Sequence, residues 1–179
     1  MEFTAEIRLV RLKEGHSIVE AAFSEAFRES LAVTALCAGY DGGHHAVFQC
    51  TDEPDLLAIV GYHNHEYPDA DKLSSRIFEL LTNVELLNVK LEAVQLALDS
   101  ENIAILFSES QPADADSLPG KGDWSVSVPE GVNDHASEQT KRTWVHIVTS
   151  EDADRLSQIG SIKRFSKVME SRIVSQDAE

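Results

Sequence analysis

The sequence has few cysteines, no excess of positive charge and no apolar run near the roughly 20 residues that cross a bilayer. Its only cysteines, Cys37 and Cys50, lie in apolar settings, so we expect free thiols in a reducing compartment. A formal net charge of −16 argues against nucleic acid and anionic membranes as partners, because both are negative themselves. The N-terminus also lacks the basic start and apolar core of a signal peptide. These absences predict a soluble cytoplasmic protein.

Common cofactor and nucleophile motifs are missing as well. The sequence contains no Gly-rich phosphate loop, no G-x-S-x-G and no C-x-x-C, and neither cysteine has a visible catalytic partner. We therefore predict no cofactor and no nucleotide-dependent chemistry. Any reaction must then be a proton transfer or use the electrons of the substrate itself.

Hydrophobic periodicity predicts a complete βαββαβ unit over residues 1–100. Strict alternation from Phe3 to Leu12 predicts a strand, and Ser17 with Glu20 forms a capping-box pattern at the start of a helix that includes Val19 in its apolar stripe. Further strands are predicted at 46–50, 56–62 and 88–98, with a second helix at about 71–83. This order is the ferredoxin-like split unit.

From residue 101 to about 175 the pattern begins again in reduced form. Strands are predicted at 103–107, 124–128, 143–149 and 168–174, and a short helix at 151–159 is followed by a further turn through Ile162 and Phe165. The Pro, Gly and Asp content of residues 111–123 forbids a helix there, and residues 176–179 are predicted to be a frayed tail.

We therefore predict an α+β fold built from one complete ferredoxin-like unit and one degenerate unit without its first helix. Because such sheets have helices on one face only, the two units should pack face to face or close into a barrel. A plain α+β sandwich without internal symmetry is the alternative.

The densest group of chemistry-bearing residues follows the third predicted strand, where strand ends commonly present function. Residues 62–67 are Tyr62, His63, Asn64, His65, Glu66 and Tyr67. Imidazoles titrate near neutrality and can act as acid or base on an enolisable ketone or phenol. We predict His65 as general base, with His63 or His16 as its alternate, and Tyr62 as hydrogen-bond donor. Alternatively, one imidazole is solvent-exposed and the other caps the second helix.

A metal site is a second interpretation of the same residues. His63 and His65 with Glu66 resemble part of a metal shell, and His44 or His45 could supply a further ligand. Adjacent histidines leaving a turn are usually solvated, so we predict no metal. His146 lies between Val145 and Ile147 and is predicted to be a core histidine rather than a ligand.

The first ~100 residues resemble the dimeric α/β-barrel superfamily, which includes antibiotic-biosynthesis monooxygenase-like, EthD-like and stress-responsive barrel proteins. The likeness rests on the element order, on the capped helix after Gly15-His16 and on the end of the third strand. Family members often end that strand with an aromatic, a small polar residue and then an acid or histidine. Those positions are Tyr62, Asn64, His65 and Glu66 here, although many monooxygenase-like members have Trp in place of Tyr62. The histidines also resemble the pair of barrel-type polyketide cyclases, with a spacing that differs by one residue.

The resemblance implies a homodimer and a small-molecule ligand held between sheet and helices. It places His16, Tyr40, Tyr62, His63 and His65 at the cavity or its rim, with Asn64, Glu66 and Tyr67 as further substrate contacts. Some barrel relatives use haem, but an axial histidine commonly comes from a helix, and none of the three clear predicted helices carries one.

Two functional classes follow. The first is a cofactor-independent isomerase, cyclase or monooxygenase of secondary metabolism that acts on a polyketide-like or phenolic substrate. The second is a non-catalytic ligand-binding or stress-responsive barrel protein. The interior separates them, because an enzyme needs a cavity of roughly 300 Å³ or more with convergent polar groups, whereas a binding protein can be packed solid.

Overall fold

The computed structural model describes residues 3–38, 44–64, 75–127, 141–157 and 159–172. The elements in chain order are β1 (Phe3–Leu12), α1 (Ala21–Ala38), β2 (His44–Cys50), β3 (Leu56–Asn64), α2 (Ser75–Leu80), β4 (Leu81–Val89), α3 (Leu91–Leu98), β5 (Asn102–Ser108), β6 (Lys121–Ser127), β7 (Lys141–Thr149), α4 (Ala153–Leu156) and β8 (Ser161–Arg172). Single turns of 3₁₀ helix lie at Ala115–Ser117 and Ser150–Asp152. In this part of the chain, no helix is long and apolar enough to cross a membrane.

All eight strands form one antiparallel sheet in the order β4-β1-β3-β2-β8-β5-β7-β6. The first four strands have the 4-1-3-2 order of a ferredoxin-like unit, so the predicted α+β class with ferredoxin-like strand order is confirmed. The last four repeat that relative order, because β8, β5, β7 and β6 are the fourth, first, third and second strands of their half. The halves join where β2 pairs with β8, from His44 opposite Arg172 to Cys50 opposite Phe165.

The inner face of the sheet is buried within the single chain. The two edge strands, β4 and β6, lie against each other, so the sheet curls on itself. Helix α3 packs Ala93, Val94, Ala97 and Leu98 onto this inner face. The apolar strand residues around the helix come from both halves and include Ile7, Leu9, Phe48, Val60, Leu87, Ile103, Ile105, Val145, Ile147 and Phe165. A single core therefore joins the two halves.

The outer face carries the other helices. In the first half, α1 and α2 cover it with an apolar stripe that includes Phe23, Phe27 and Ile77. In the second half, α4 covers only part of it, through Ala153 and Leu156. Residues 109–120 stand where a first helix of that half would lie, and apart from one 3₁₀ turn they are irregular, as predicted.

The predicted strand at 88–98 is wrong, because α3 covers Leu91–Leu98 and the strand β4 covers Leu81–Val89. Of the predicted helix 71–83, residues 71–74 lie outside the described residues, Ser75–Leu80 are helical as α2, and residues 81–83 belong to β4. The buried positions 93, 94, 97 and 98 follow the helical period, which a strand could not bury on one face. The predicted β-α-β-β-α-β order is still present, but its last strand, β4, lies several residues earlier than predicted.

Other boundaries differ in the same way. Helix α1 begins at Ala21 rather than at Ser17, so Val19 precedes it and is 87% exposed. The predicted turn at Ile162 and Phe165 belongs to β8, which is far longer than the expected 168–174. The predicted helix 151–159 is a 3₁₀ turn followed by the four residues of α4. The tail, 176–179, lies outside the described residues.

Candidate functional site

The predicted site stretch is described only in part. Its residues His65, Glu66 and Tyr67, and also Tyr40, lie outside the described residues. His63 and Asn64 end β3, where their backbones pair with Thr4 and Phe3 of β1, and their side chains are likewise not described. Tyr62 is therefore the predicted site residue from this stretch whose contacts are known.

Tyr62 is half-buried at the end of β3 and packs against the inner core. Its hydroxyl donates to Gln95 Oε1 at 3.2 Å, and Gln95 Nε2 in turn donates to Asp99 Oδ2 at 3.0 Å. Burial, and secondarily the negative charge of Asp99, raises the pKa of the Tyr62 phenol. The phenol therefore stays protonated at neutral pH and is suited to donate a hydrogen bond rather than to act as a base.

His44 lies at the same end of the sheet as Tyr62. Ala46 pairs with Val60, and His44 and Tyr62 each come two residues beyond that pair. His44 Nε2 lies 2.5 Å from Glu170 Oε1, with only 13% of the His44 side chain exposed. The hydrogen bond from His44 is the main reason that the pKa of Glu170 is lowered. This pair was missed from the sequence, where His44 was considered only as a solvated residue or a metal ligand.

Lys167 adds a nearly buried cation beside Glu170. Only 7% of its side chain is exposed, and Nζ donates to the carbonyl of Leu98, the last residue of α3, at 2.7 Å. The ammonium also lies 3.4 Å from Glu170 Oε2 and 5.8 Å from the centre of the Phe48 ring. A cation at a helix C-terminus stabilises the helix through its dipole.

Together these residues form what we call the rim cluster, comprising His44, Tyr62, Gln95, Asp99, Lys167 and Glu170. It combines a protonated phenol, an imidazole oriented by a carboxylate, and an ammonium. A carboxylate that holds an imidazole fixes its orientation and tautomer, which is the arrangement used in general acid–base catalysis. The cluster can therefore exchange a proton and donate a hydrogen bond to a developing oxyanion.

His16 lies away from this cluster. Tyr62 pairs with Ala5 near the start of β1, whereas His16 follows Leu12 at the other end, so a strand length of roughly 20 Å separates them. The His16 side chain is exposed, and its Nδ1 lies 3.5 Å from Glu20 Oε2. The resemblance implies that His16 and Tyr62 lie at one cavity or its rim, whereas the structure places them at opposite ends of the sheet.

A separate cleft of about 460 Å³ lies in the second half, between residues 111–120 and the β6–β7 hairpin. Trp124, Trp144 and His146 line it, and Lys90 comes from the start of α3. His146 is buried, as predicted, with Nε2 at 2.6 Å from the carbonyl of Pro119. Its Nδ1 has no hydrogen-bond partner among the described residues.

Metal and haem ligands find little support in the described ranges. No group of three or more His, Cys, Asp or Glu residues there could hold a metal ion, and Cys50 is a buried free thiol. A haem axial ligand needs a ring nitrogen open to a large apolar cavity. His146 is held between Pro119 and Gly122, and His45 packs its ring on Gly61, so neither of these two histidines fits that role.

No protein-family model and no curated protein matches the sequence. Among solved structures, the chain is similar to a protein provisionally named a chlorite dismutase, with 10% identity, a TM-score of 0.48, and coverage of 94% of this chain and 96% of that one. It is also similar to a heme-binding protein from Thermus thermophilus, with 10% identity, a TM-score of 0.48, and coverage of 93% and 91%. Membership of the monooxygenase-like or EthD-like groups stays a prediction.

Proposed function

We propose that this chain binds a small phenolic or polyketide-like molecule at the rim cluster and moves a proton on it without a cofactor. The observation that carries this proposal is the placement of a protonated phenol, Tyr62, at the same sheet end as the His44–Glu170 pair. The chain continues from that strand end directly into His63 and His65. Tyr62 and the His44–Glu170 pair thus belong to one end of the sheet, and the backbone of His63 ends the same strand.

Tyr62 is the proposed hydrogen-bond donor to the substrate oxygen. Its hydroxyl hydrogen is directed to Gln95, an uncharged acceptor, and turns to a substrate oxygen when the substrate binds. A phenol is already protonated at neutral pH, and burial raises the pKa of Tyr62 further. Such a donor is most valuable where negative charge develops on an enolate oxygen in the transition state.

The proposed base is His65, with His63 as its alternate, and the His44–Glu170 pair returns or relays the proton. Asn64, Glu66, Tyr67 and Tyr40 remain proposed substrate contacts. Losing a positioned acid or base typically lowers the rate by about 10²–10⁴-fold.

Proton exchange tests this proposal without knowledge of the natural substrate. The probe is 2′-hydroxyacetophenone, a phenolic enolisable ketone, in D₂O, and the readout is the protein-dependent loss of its methyl signal in proton NMR. We expect His65→Ala to remove most of the exchange and Tyr62→Phe to slow it less. His44→Gln should also slow it, because it breaks the pair with Glu170.

His16→Gln is the matched control, since it removes an exposed histidine from the opposite end of β1. It should leave the exchange rate unchanged. If the double variant His63→Ala/His65→Ala exchanges the probe as fast as the wild type, this stretch has no role in proton transfer.

A non-catalytic ligand-binding or stress-responsive barrel is the second candidate, and one observation favours it. Helix α3 fills the inner face of the curled sheet, where an enzyme of this shape could otherwise hold a substrate. In that case calorimetry would detect ligand binding, while the wild type and every variant above would exchange the probe no faster than solution without protein.

We also propose that the architecture is a tandem of a complete unit, 1–100, and a degenerate unit, 101–175. The matching 4-1-3-2 strand orders support this proposal, as does the irregular segment 109–120 in place of a first helix.

Homodimerisation is a further proposal. Because the inner face is already buried within one chain, a dimer would need an outer surface or an edge. Light scattering that gives the 19.7 kDa mass of one chain at micromolar concentration would refute it.

A further inference from the structure

The cleft of about 460 Å³ is lined by both halves of the chain. Lys90 and Glu92, at the start of α3, contribute from the first half. From the second half come β6 and the irregular residues 111–120, which stand where a first helix of that half would lie. The volume is within the range of roughly 300–1,000 Å³ that small-molecule sites have. The cleft is therefore large enough for a ligand of one or two rings.

A partly exposed tryptophan lines this cleft. Trp124 is 37% exposed, and it lies directly opposite Trp144 in the β6–β7 pairing. The two ring centres are 5.6 Å apart, with the ring planes at 81°. Trp144 is buried and supports Trp124 from within the fold. The Trp124 side chain is thus held in place, while part of it stays accessible to a ligand in the cleft.

Several other side chains that line the cleft are charged, and both signs occur. Lys90 Nζ lies 3.8 Å from Asp123 Oδ2, so these two groups balance each other. The carboxylates of Glu92 and Asp116 have no hydrogen-bond or ion-pair partner in the described part of the chain. Lys121 supplies a further ammonium group. The lining therefore offers a ligand both acceptors and donors of hydrogen bonds.

This combination of an aromatic ring and charges of both signs favours one ligand chemistry. A sugar hydroxyl both donates and accepts, so it can pair with a carboxylate or with an ammonium. One face of a pyranose ring can carry mainly C–H bonds, whose slightly positive hydrogens suit the negative face of an indole ring. A flat aromatic ring would also stack on Trp124, but it would leave the charged walls without partners.

We propose that this cleft is a binding site for a neutral pyranose sugar. The C–H face of the sugar ring stacks on Trp124, and its hydroxyl groups donate to the carboxylates of Asp116 and Glu92. Lys121 donates to a further hydroxyl oxygen. The buried side-chain nitrogens of this wall take no part, and the site is independent of the rim cluster.

The probe for this site is methyl β-D-galactopyranoside, because its axial hydroxyl leaves the opposite face of the ring with C–H bonds. Galactitol is the control compound, since it has hydroxyl groups of the same configuration but no ring. The readout is saturation transfer from the protein to the sugar protons in NMR. We expect the protons of the C–H face to receive more saturation than the proton on the opposite face, and galactitol to receive little.

The tryptophans give a second readout, because the sequence contains only two. Protein labelled with ¹⁵N-tryptophan gives two indole N–H signals, and Trp124→Phe identifies which of them belongs to Trp124. We expect the galactoside to move the Trp124 signal more than the Trp144 signal. Trp124→Leu should weaken binding several-fold, since it removes the aromatic face, and circular dichroism checks that this variant is folded.

A carboxylate variant tests the polar contacts without changing the aromatic wall. Asp116→Ala should weaken binding of the galactoside roughly two- to tenfold, which is the net effect of losing about one hydrogen bond. Asp114→Ala is the matched control, because Asp114 is exposed in the same segment but does not line the cleft. It should bind the galactoside as the wild type does.

The proposal is overturned if neither methyl β-D-galactopyranoside nor methyl β-D-glucopyranoside gives saturation transfer at tens of millimolar. It is equally overturned if galactitol binds as strongly as the galactoside, or if Asp116→Ala binds the galactoside as tightly as the wild type. Benzyl alcohol is the aromatic probe. If it moves the Trp124 signal and neither glycoside does, the cleft takes a flat aromatic ring instead of a sugar.

Discussion

At the scale of single residues, each half of the chain places an imidazole on a glycine of the neighbouring strand. His45 on β2 lies against Gly61 on β3, and His146 on β7 lies against Gly122 on β6. A Cβ at Gly61 would collide with His45 Cδ2 and lie 2.5 Å from Nε2 and 2.7 Å from Cγ. These two glycines are therefore needed for close approach and not for a special backbone angle.

We expect Gly61→Ala to destabilise the protein by about 1–3 kcal/mol, the usual cost of inserting a methyl group into a packed site. The measurement is the free energy of unfolding in urea. If the imidazole is the cause, the same substitution in a His45→Ala background should cost much less. An equal cost in both backgrounds would mean that backbone effects, and not this contact, decide the result.

The site illustrates what residue patterns in the sequence can and cannot predict. Tyr62 could be identified because it follows a recognisable buried strand, and its role as a donor fits its raised pKa. The role of His44 could not be inferred from the local sequence, because its partner Glu170 is 126 residues away in the chain. The cluster exists only because β2 pairs with β8, and no local periodicity encodes a pairing between distant strands.

At the scale of elements, the positions of the strands with strict alternation were predicted well, and those of the elements in 81–98 were not. β1, β2, β3, β5 and β7 all lie where they were expected. In residues 88–98, apolar residues recur often enough to match either period, so the pattern alone could not distinguish strand from helix. Residues 91–98 form a helix because they are rich in the helix-favouring residues Leu, Glu, Ala and Gln and because one side of that helix is buried against both halves of the sheet.

Two leucines of α3 test this assignment. Leu98 is 2% exposed in the inner core, and Leu91 is 58% exposed at the other end of the helix. We expect Leu98→Ala to lower the free energy of unfolding by about 2–5 kcal/mol and Leu91→Ala by less than about 0.5 kcal/mol. Urea denaturation measures both. Similar losses for the two variants would contradict the packing of α3 onto the inner face.

At the scale of the whole molecule, an ion cluster ties the two halves together outside the core. Glu53, in the connector between β2 and β3, accepts from Arg11 Nη2 of β1 at 2.6 Å and from Lys163 Nζ of β8. Hydrogen bonds from Lys163 first, and then from Arg11, hold the pKa of Glu53 below its ordinary value of 4.5. The chain thus joins its halves by a charge contact as well as by apolar burial.

This lowered pKa predicts a loss of stability in acid. The folded state binds the Glu53 proton less readily than the unfolded state, so the contribution is complete above pH 4.5 and declines as the pH falls through the folded-state pKa. Glu53→Gln lacks this contribution at every pH. We therefore expect the difference in free energy of unfolding between wild type and Glu53→Gln, measured by urea denaturation, to become smaller between pH 5 and pH 3. A difference that does not change with pH would contradict the prediction.

The single core shared by the halves predicts how a fragment behaves. Residues 1–100 contain β1–β4 and α3, but their inner face contacts Ile103, Ile105, Val145 and Ile147 of the second half in the full chain. Without those partners the fragment exposes that apolar face, and an identical copy offers a surface of the same strand order to cover it. We expect fragment 1–100 to form a dimer in light scattering, and Leu98→Glu, which places a charge on that face, to abolish the dimer. A fragment that is folded by circular dichroism and monomeric at micromolar concentration would show that the first half does not depend on the second.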